Sequence, residues 1–547
     1  MKVDNILIVG GGTAGWFTAA ALRVHTPHLN VTLVESPNIP TVGVGESTIC
    51  HINVFLHSLG MNISGNESWM TACDATYKAS IKFTDFHKLG GEPYHYPFGR
   101  MDVDNLDVTG RDSWMMKKWV YPDLPQSDFV NSFYPQMPLI YGNKIHQNRE
   151  GIDLLKPYSG VQDLAYQIDA TKLALWMKGA MCQDVTHIKD DVVDVSLDDK
   201  GYVSGVTTTD HGELTADLYI DCTGFKSLLL EGALKEPWHD WSEDLPNNKA
   251  WATHKPYKDK EKEMEVWTNN TGIENGWVWN IPLWNNIGTG YVYCDSFVDD
   301  DTALGEFQRH IGHGDELDYK NIKIKTGRHN RGWVKNVCAI GLSNGFVEPL
   351  ESSGLVLVTE PIDLLIKTLT MRDGKVTQYD RDAWCLVQKE LTDAWKYFVM
   401  MHFYLTERDD TPYWNYWSQE KEMGAHWWGI DFEQPHFWPS GMVATGSFGL
   451  NNTYDVGMEL AICRLKAEGV RYLSNAYLCI AVGSGWNITN DYTVKKTTMV
   501  QPNFTRDVVE NKMKSIWLYW KNRTEDVQAI ANQSPTMYEY LKENIYK

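Results

Sequence analysis

The hydrophobic pattern opens on Asn5-Ile-Leu-Ile-Val9, a β-branched apolar run of strand length. It passes directly into Gly10-Gly-Gly-Thr-Ala-Gly15 and a small-residue helical stretch from Trp16 to His25. Val31-Thr-Leu-Val-Glu35 predicts a second strand, so the opening reads as a βαβ unit. Further strands are predicted at Asp191 to Val195, Tyr202 to Thr207, Leu218 to Asp221 and Val337 to Ile340, with helices at Thr171 to Met181 and Leu355 to Met371. Sheet and helix mixed in this way indicate an α/β fold. From about Asp380 the pattern turns mainly helical, with aromatic stretches at Tyr413 to Trp417 and His426 to Trp438. Two short segments alternate strictly. Lys78, Ser80 and Lys82 fall opposite Tyr77, Ala79, Ile81 and Phe83, the pattern of a strand with one solvated face, and Trp277 and Trp279 share a face opposite Val278 and Asn280.

Composition narrows the class. With 547 residues, 43% of them hydrophobic, the chain can bury a large core, and the length sets a ceiling of three or four domains. A net charge of −21 repels phosphate backbones and anionic lipid, which argues against nucleic-acid binding. No apolar run approaches the ~18 to 20 residues of a spanning helix and no signal-peptide pattern opens the chain, so neither a membrane span nor export is expected and a cytoplasmic setting fits best. The nine cysteines are odd in number and form no C-x-x-C pair, which disfavours a disulfide framework and a metal site. The 23 tryptophans grow denser toward the C-terminus, where most are expected to fill an irregular helical core and a few to line a pocket.

Gly10, Gly12 and Gly15, with Thr13 and Ala14 between them, form G-x-G-x-x-G between a strand and a helix, where backbone N–H groups can approach a pyrophosphate. Glu35 ends the next strand, placed to accept from ribose hydroxyls and to repel a 2′-phosphate, so FAD or NAD is expected. Asp217-Leu-Tyr-Ile-Asp-Cys-Thr-Gly224 resembles the second FAD-contacting strand of flavin monooxygenases. That favours FAD and adds Asp221, Gly224 and, after the later strand, Gly341 to the cofactor set. No second G-x-G-x-x-G is present for a reductant nucleotide, which suggests a separate electron-supplying partner.

Trp277, Trp279, Ile281 and Pro282 spell W-x-W-x-I-P, which resembles the signature of flavin-dependent halogenases. The opening Gly10 to Trp16, Gly43-Val-Gly-Glu-Ser-Thr48, Thr76 to Phe83 and Gly345-Phe-Val-Glu-Pro-Leu-Glu-Ser-Ser-Gly354 resemble the same family in the same order, over at least residues 5 to 415. The resemblance implies a Rossmann-like FAD-binding module of flavin monooxygenase type, at residues 1–88 and 160–380. A mainly helical substrate module is expected at 89–159 and 381–547.

The same resemblance implies the roles. Lys78 is the active-site lysine, acting either as an ammonium that polarises hypohalous acid or as an amine that forms a haloamine. Glu351 assists by orienting that acid and taking the ring proton; read from its position alone, it is equally a carboxylate complementing a helix dipole. Ser353 and Gly354 match the halide site, and the segment Pro40 to Ile49, with Val42, Gly43, Gly45, Glu46 and Ser47, matches the strap linking flavin and substrate sites. Trp277, Trp279, Ile281 and Pro282 would shield the flavin from substrate. His95, Pro97 and Phe98 from Tyr94-His-Tyr-Pro-Phe-Gly99, together with Phe437 and Trp438, are lining candidates for the substrate chamber. No Tyr-Tyr pair follows residue 380, so the free-tryptophan clamp of related enzymes is missing. The expected enzyme uses FADH2, O2 and chloride, bromide or iodide on an indole, phenol or pyrrole, with a separate NAD(P)H flavin reductase, and a homodimer stays open. The competing expectations are an FAD monooxygenase that hydroxylates directly and a flavin-binding protein without turnover.

Overall fold

The computed structural model of the chain describes residues 1–39, 43, 45–61, 68–102, 114, 117, 118, 120–420, 476, 479, 480, 482–485 and 505–547. Its first sheet has six strands in the order Trp333–Val334, Val337–Ala339, Leu218–Asp221, Asn5–Val9, Asn30–Glu35 and Thr186–Lys189. Every pairing is parallel except that of Trp333–Val334 at one edge. Ile6 and Ile8 enter one core cluster and Leu7 and Val9 another, which is why this strand reads as a continuous apolar run. The helix Thr13–His25 packs against the helices Ala170–Met181 and Val356–Met371.

A second sheet has seven strands in the order Lys320–Lys323, Lys249–Lys255, Ile287–Tyr293, Gly276–Pro282, Trp267–Ile273, Ser80–Thr84 and Tyr94–Pro97. The strand Tyr94–Pro97, beyond the expected module boundary at residue 88, completes its edge by pairing with Ser80–Thr84. A three-stranded sheet joins Glu46–Ser47, Ala165–Ile168 and Thr76–Lys78. Ala79 marks the change of sheet, its N–H donating to Val266 O at 2.7 Å and its carbonyl accepting from Phe98 N at 2.9 Å.

This seam overturns the expectation of a solvated strand face: Lys78 and Ser80 are fully buried, and only Lys82 is part-exposed. Alternation records which side chains share a face but not what covers them. Here the Lys78 side is closed by the segment around Ser352 and by Phe98.

Beyond residue 380 the described residues are mainly helical, as the pattern predicts. Helix Gln378–Tyr404 starts in a capping box between Thr377 and Asp380. Helix Arg506–Gln533 packs on the short helices Ser127–Phe133 and Met137–Tyr141. Its buried Arg523 pairs with buried Asp102 and donates to Ser132 O at 2.6 Å. Tyr546 stacks on Trp284 with centroids 4.0 Å apart and donates to the carbonyls of Met70 and Ala75, both at 2.9 Å. Among the described residues no helix is long and apolar enough to cross a membrane.

Arg523→Leu removes the buried cation that pairs with Asp102 and donates to Ser132 O, and is expected to destabilise the protein by about 3–5 kcal/mol. A shift of the denaturant midpoint in equilibrium unfolding measures it.

Candidate active site

Lys78 occupies the end of the strand Thr76–Lys78, paired to Ala165. Its Nζ donates to Ser47 Oγ and to Ser352 Oγ, each at 2.6 Å, and lies 5.1 Å from the Phe98 ring centroid. The two serines are themselves linked at 3.1 Å. Ser47 Oγ lies 2.6 Å from Thr268 Oγ1, which donates to Gln167 Oε1 at 3.1 Å. Ser352 is held at φ +59°, the left-handed region that a non-glycine residue takes only under constraint. Burial pushes the Lys78 ammonium well below its usual range, and the attraction of Glu351 opposes this only in part.

Glu351 closes the turn Pro349–Glu351 and is fully buried. His402 Nε2, from helix Gln378–Tyr404, stands 2.5 Å from Glu351 Oε1. The His402 ring lies 4.5 Å from that of Phe83, which in turn stacks on Tyr94 at 5.2 Å. Burial raises the Glu351 pKa, while His402 and Lys78 pull it down. The turn is tied to the seven-stranded sheet: Asn270 Nδ2 donates to Leu350 O at 2.6 Å, and Trp277 Nε1 donates to Glu348 Oε2 at 2.9 Å. Glu348, three residues before Glu351, is thus a partner of the aromatic strand, and its desolvated carboxyl is pushed up to about 7.

Ser353 and Gly354 follow, ahead of helix Val356–Met371, whose N-cap Leu355 provides no side-chain acceptor for the first turn. Ser353 Oγ is buried without a hydrogen-bond partner among the described residues. A Cβ on Gly354 would sit 3.6 Å from Glu46 Oε2. Burial, then the nearby Asp169, pushes the Glu46 carboxyl up to about 7, which weakens its charge beside these anion-donor candidates.

A family model described as tryptophan halogenase matches residues 5–427. The chain belongs to the tryptophan halogenase family. It is 34% identical over 432 residues to tryptophan 6-halogenase SttH of Streptomyces toxytricini, a match covering 75% of this chain and 80% of that one. Among solved structures, apo VirX1 aligns with TM-score 0.85 and 34% identity over the whole of both chains. Tar14, a tryptophan C-6 flavin-dependent halogenase from taromycin biosynthesis, aligns with TM-score 0.79 and 29% identity, covering 98% of this chain and 99% of that one. The fold is the mixed α/β architecture of flavin-dependent halogenases, which use reduced FAD and halide.

The residues present fit the flavin nucleotide of this halogenase family. A Cβ on Gly10 or Gly15 would fall 2.3 Å from Cys222 O or 2.0 Å from Gly10 O, so these two glycines make the tight strand-to-helix turn possible. A Cβ on Gly12 would meet no described atom within 4 Å, at a helix start without a side-chain cap, the kind of cradle a pyrophosphate requires. Thr13 opens that helix, and Gly341 brings its loop against Ala14, at 3.0 Å from the position of a Cβ. Glu35 Oε1 lies 2.6 Å from His187 Nε2 and 3.6 Å from Lys178 Nζ, leaving Oε2 over Gly11, toward the cradle. The Asp221 carboxylate accepts from Thr223, Leu229 and Leu230, holding the turn that contains Gly224.

Gly43 approaches Thr171, and Gly45 packs on Ile281 and Leu283, so the strap crosses the W-x-W-x-I-P strand. Pro282 O accepts from Thr76 Oγ1 at 2.5 Å, and the Trp279 ring lies across Gly290. Phe98 reaches Lys78, but His95 lies 3.0 Å from Ser80 Oγ and packs between Tyr141 and Trp267, and Pro97 pairs with Ser80 in the sheet. Val42, Phe437 and Trp438 lie outside the described residues. Sequence reasoning missed His402 and the hydroxyl of Ser352. A lone histidine in an aromatic helix carries no local signal, whereas Ser352 was open to notice as the neighbour of Glu351.

The Glu348 carboxyl, raised from 4.5 to about 7, contributes stability that is complete below pH 4.5 and lost as pH rises through 7. Glu348→Gln has no such titration. Its stability relative to the unsubstituted protein is therefore expected to improve from pH 4.5 to pH 8, by at most on the order of 3 kcal/mol, measured by denaturant unfolding at each pH.

Proposed function

We propose that the chain halogenates an electron-rich aromatic ring beside Lys78. The observation that carries this reading is a buried lysine held by two hydroxyls next to a buried carboxyl, an arrangement able to receive a small polar oxidant and to remove a proton. Reduced FAD, delivered by a separate NAD(P)H flavin reductase, would supply the two electrons and two protons that, with one further proton, turn O2 and halide into hypohalous acid and water. Gly10, Gly12, Gly15 and Glu35 would hold it, with the strap over Ile281, and Ser353 and Gly354 would offer backbone donors to the halide.

Ser47 and Ser352 orient the Lys78 nitrogen, and its desolvation favours the neutral amine. X⁺ passes from HOX to the ring, directly or through that nitrogen. The O–X bond breaks and a C–X bond forms, while Glu351, held by His402, takes the ring proton that restores aromaticity and passes it on to the departing hydroxide, which leaves as water. The aromatic side chains Phe98, Tyr94 and Phe83 support an indole-, phenol- or pyrrole-type ring. Relatives named tryptophan halogenases favour an indole, whereas the missing Tyr-Tyr pair disfavours free tryptophan. The cofactor module is read as residues 1–88 and 160–380, and the substrate module as 89–159 and 381–547, with strand Tyr94–Pro97 shared between them.

Lys78→Ala is expected to lose halogenated product by at least about 100-fold while binding FAD as before. Mass spectrometry of reactions with a flavin reductase, NADH, O2, catalase and an aromatic panel, run separately with chloride, bromide and iodide, measures it. Unchanged product in Lys78→Ala removes the lysine from the reaction. Oxygenated product without halide replaces the halogenase reading by a hydroxylase.

A further inference from the structure

The W-x-W-x-I-P strand makes a contact that shielding a flavin does not require. Trp277 is 1% exposed and its indole N–H donates to Glu348 Oε2 at 2.9 Å, the same oxygen that accepts from Asn247 Nδ2 at 2.9 Å. Asn247 Nδ2 also reaches Tyr413 OH at 3.2 Å. Glu348 is fully buried, and its other oxygen, Oε1, has no partner in the described structure. Three residues on is Glu351, and between them Leu350 O accepts from Asn270 on the neighbouring strand. Trp277 and Asn270 hence grip two points of one short turn, and the end of that turn carries the carboxyl facing His402.

We propose that Glu348 is a positioning residue for halogenation, tying the Glu351 turn to Trp277 so that the aromatic strand sets where the Glu351 carboxyl stands relative to Lys78. The proposal rests on the reading of Glu351 as the proton acceptor. The contact is made through an accepting oxygen. An amide at position 348 keeps it, with the carbonyl facing Trp277 and Asn247 and the NH2 replacing Oε1. An apolar side chain loses it, and so does phenylalanine at position 277, which retains the ring but not the donor. A turn released by even an ångström is enough to lower the rate of a step that depends on geometry.

The test measures kcat, KM for the aromatic substrate, and hypohalous acid escaping to a soluble 1,3-diketone scavenger. The variants are Glu348→Leu, Glu348→Gln, Trp277→Phe and the double variant Glu348→Leu/Trp277→Phe, with circular dichroism melts confirming folding. Glu348→Leu and Trp277→Phe are each expected to lower kcat about tenfold, leave KM within about twofold, and raise scavenged acid per product. The double variant should lose no more than either single one, because both remove one contact. Glu348→Gln should restore kcat to within about threefold of the unsubstituted enzyme.

Losses that multiply in the double variant, or Trp277→Phe with unchanged kcat and scavenged acid, overturn the proposal. Should Glu348→Leu fail to fold, Trp277→Phe against Glu348→Gln still decides it. A Glu351→Gln control separates the two levels: full activity in that variant sinks the proton-acceptor reading itself, whereas lost activity there with normal activity in Trp277→Phe sinks only the role of Glu348.

Discussion

The site depends on keeping an amine dry. Lys78 is buried where two sheets meet, and its Nζ is satisfied by the hydroxyls of Ser47 and Ser352 rather than by a carboxylate. Hydroxyls satisfy its hydrogen bonds without supplying a counter-charge, so desolvation governs its protonation. A salt bridge in the same place would fix an ammonium. The remaining contacts follow from this arrangement, because each hydroxyl comes from a segment that must be held in turn. Ser47 arrives on the strap strand paired with Ala165–Ile168, and Ser352 on a left-handed residue after the Glu351 turn.

Those two segments link the functions that sequence motifs list separately. The strap dipeptide presents the Glu46 carboxyl to Gly354 and the Ser47 hydroxyl to Lys78. The turn from Glu348 to Ser353 touches the aromatic strands at one end, His402 in the middle and Lys78 beyond it. Three carboxyls, Glu46, Glu348 and Glu351, are all pushed upward by burial. Such desolvation is destabilising where nothing compensates it, and perturbed carboxyls of this kind cluster at functional sites.

Much of the fold was legible because its parallel core is written in local patterns. Asn5–Val9 and Leu218–Asp221 form strands with the bounds the sequence predicts, and the helix after Gly12 begins within three residues of its expected start. Motifs singled out Lys78 and Glu351, which the structure buries within electrostatic reach of each other, and spacing alone said less. Tyr94, Tyr96 and Phe98 alternate with His95 and Pro97, and Phe98 reaches the lysine while His95 turns to Ser80. Alternation separated the two sets without indicating which faces the chamber. His402 gave no signal, since its role exists only through Glu351, 51 residues earlier in the chain and brought near by helix Gln378–Tyr404.

By itself the sequence determined the α/β class, the tight glycine turn between the first strand and helix, and the order of motifs that identifies the family. These are properties of neighbouring residues, where backbone sterics and side-chain periodicity act over a few positions. Only the tertiary structure decided that an alternating lysine strand is buried, that Ser352 and Ser47 meet at one nitrogen, and that Glu348 answers to Trp277 while Glu351 answers to His402. Burial and hydrogen-bond partnership depend on what closes over a segment from elsewhere in the chain, and a linear pattern records only which face a side chain takes.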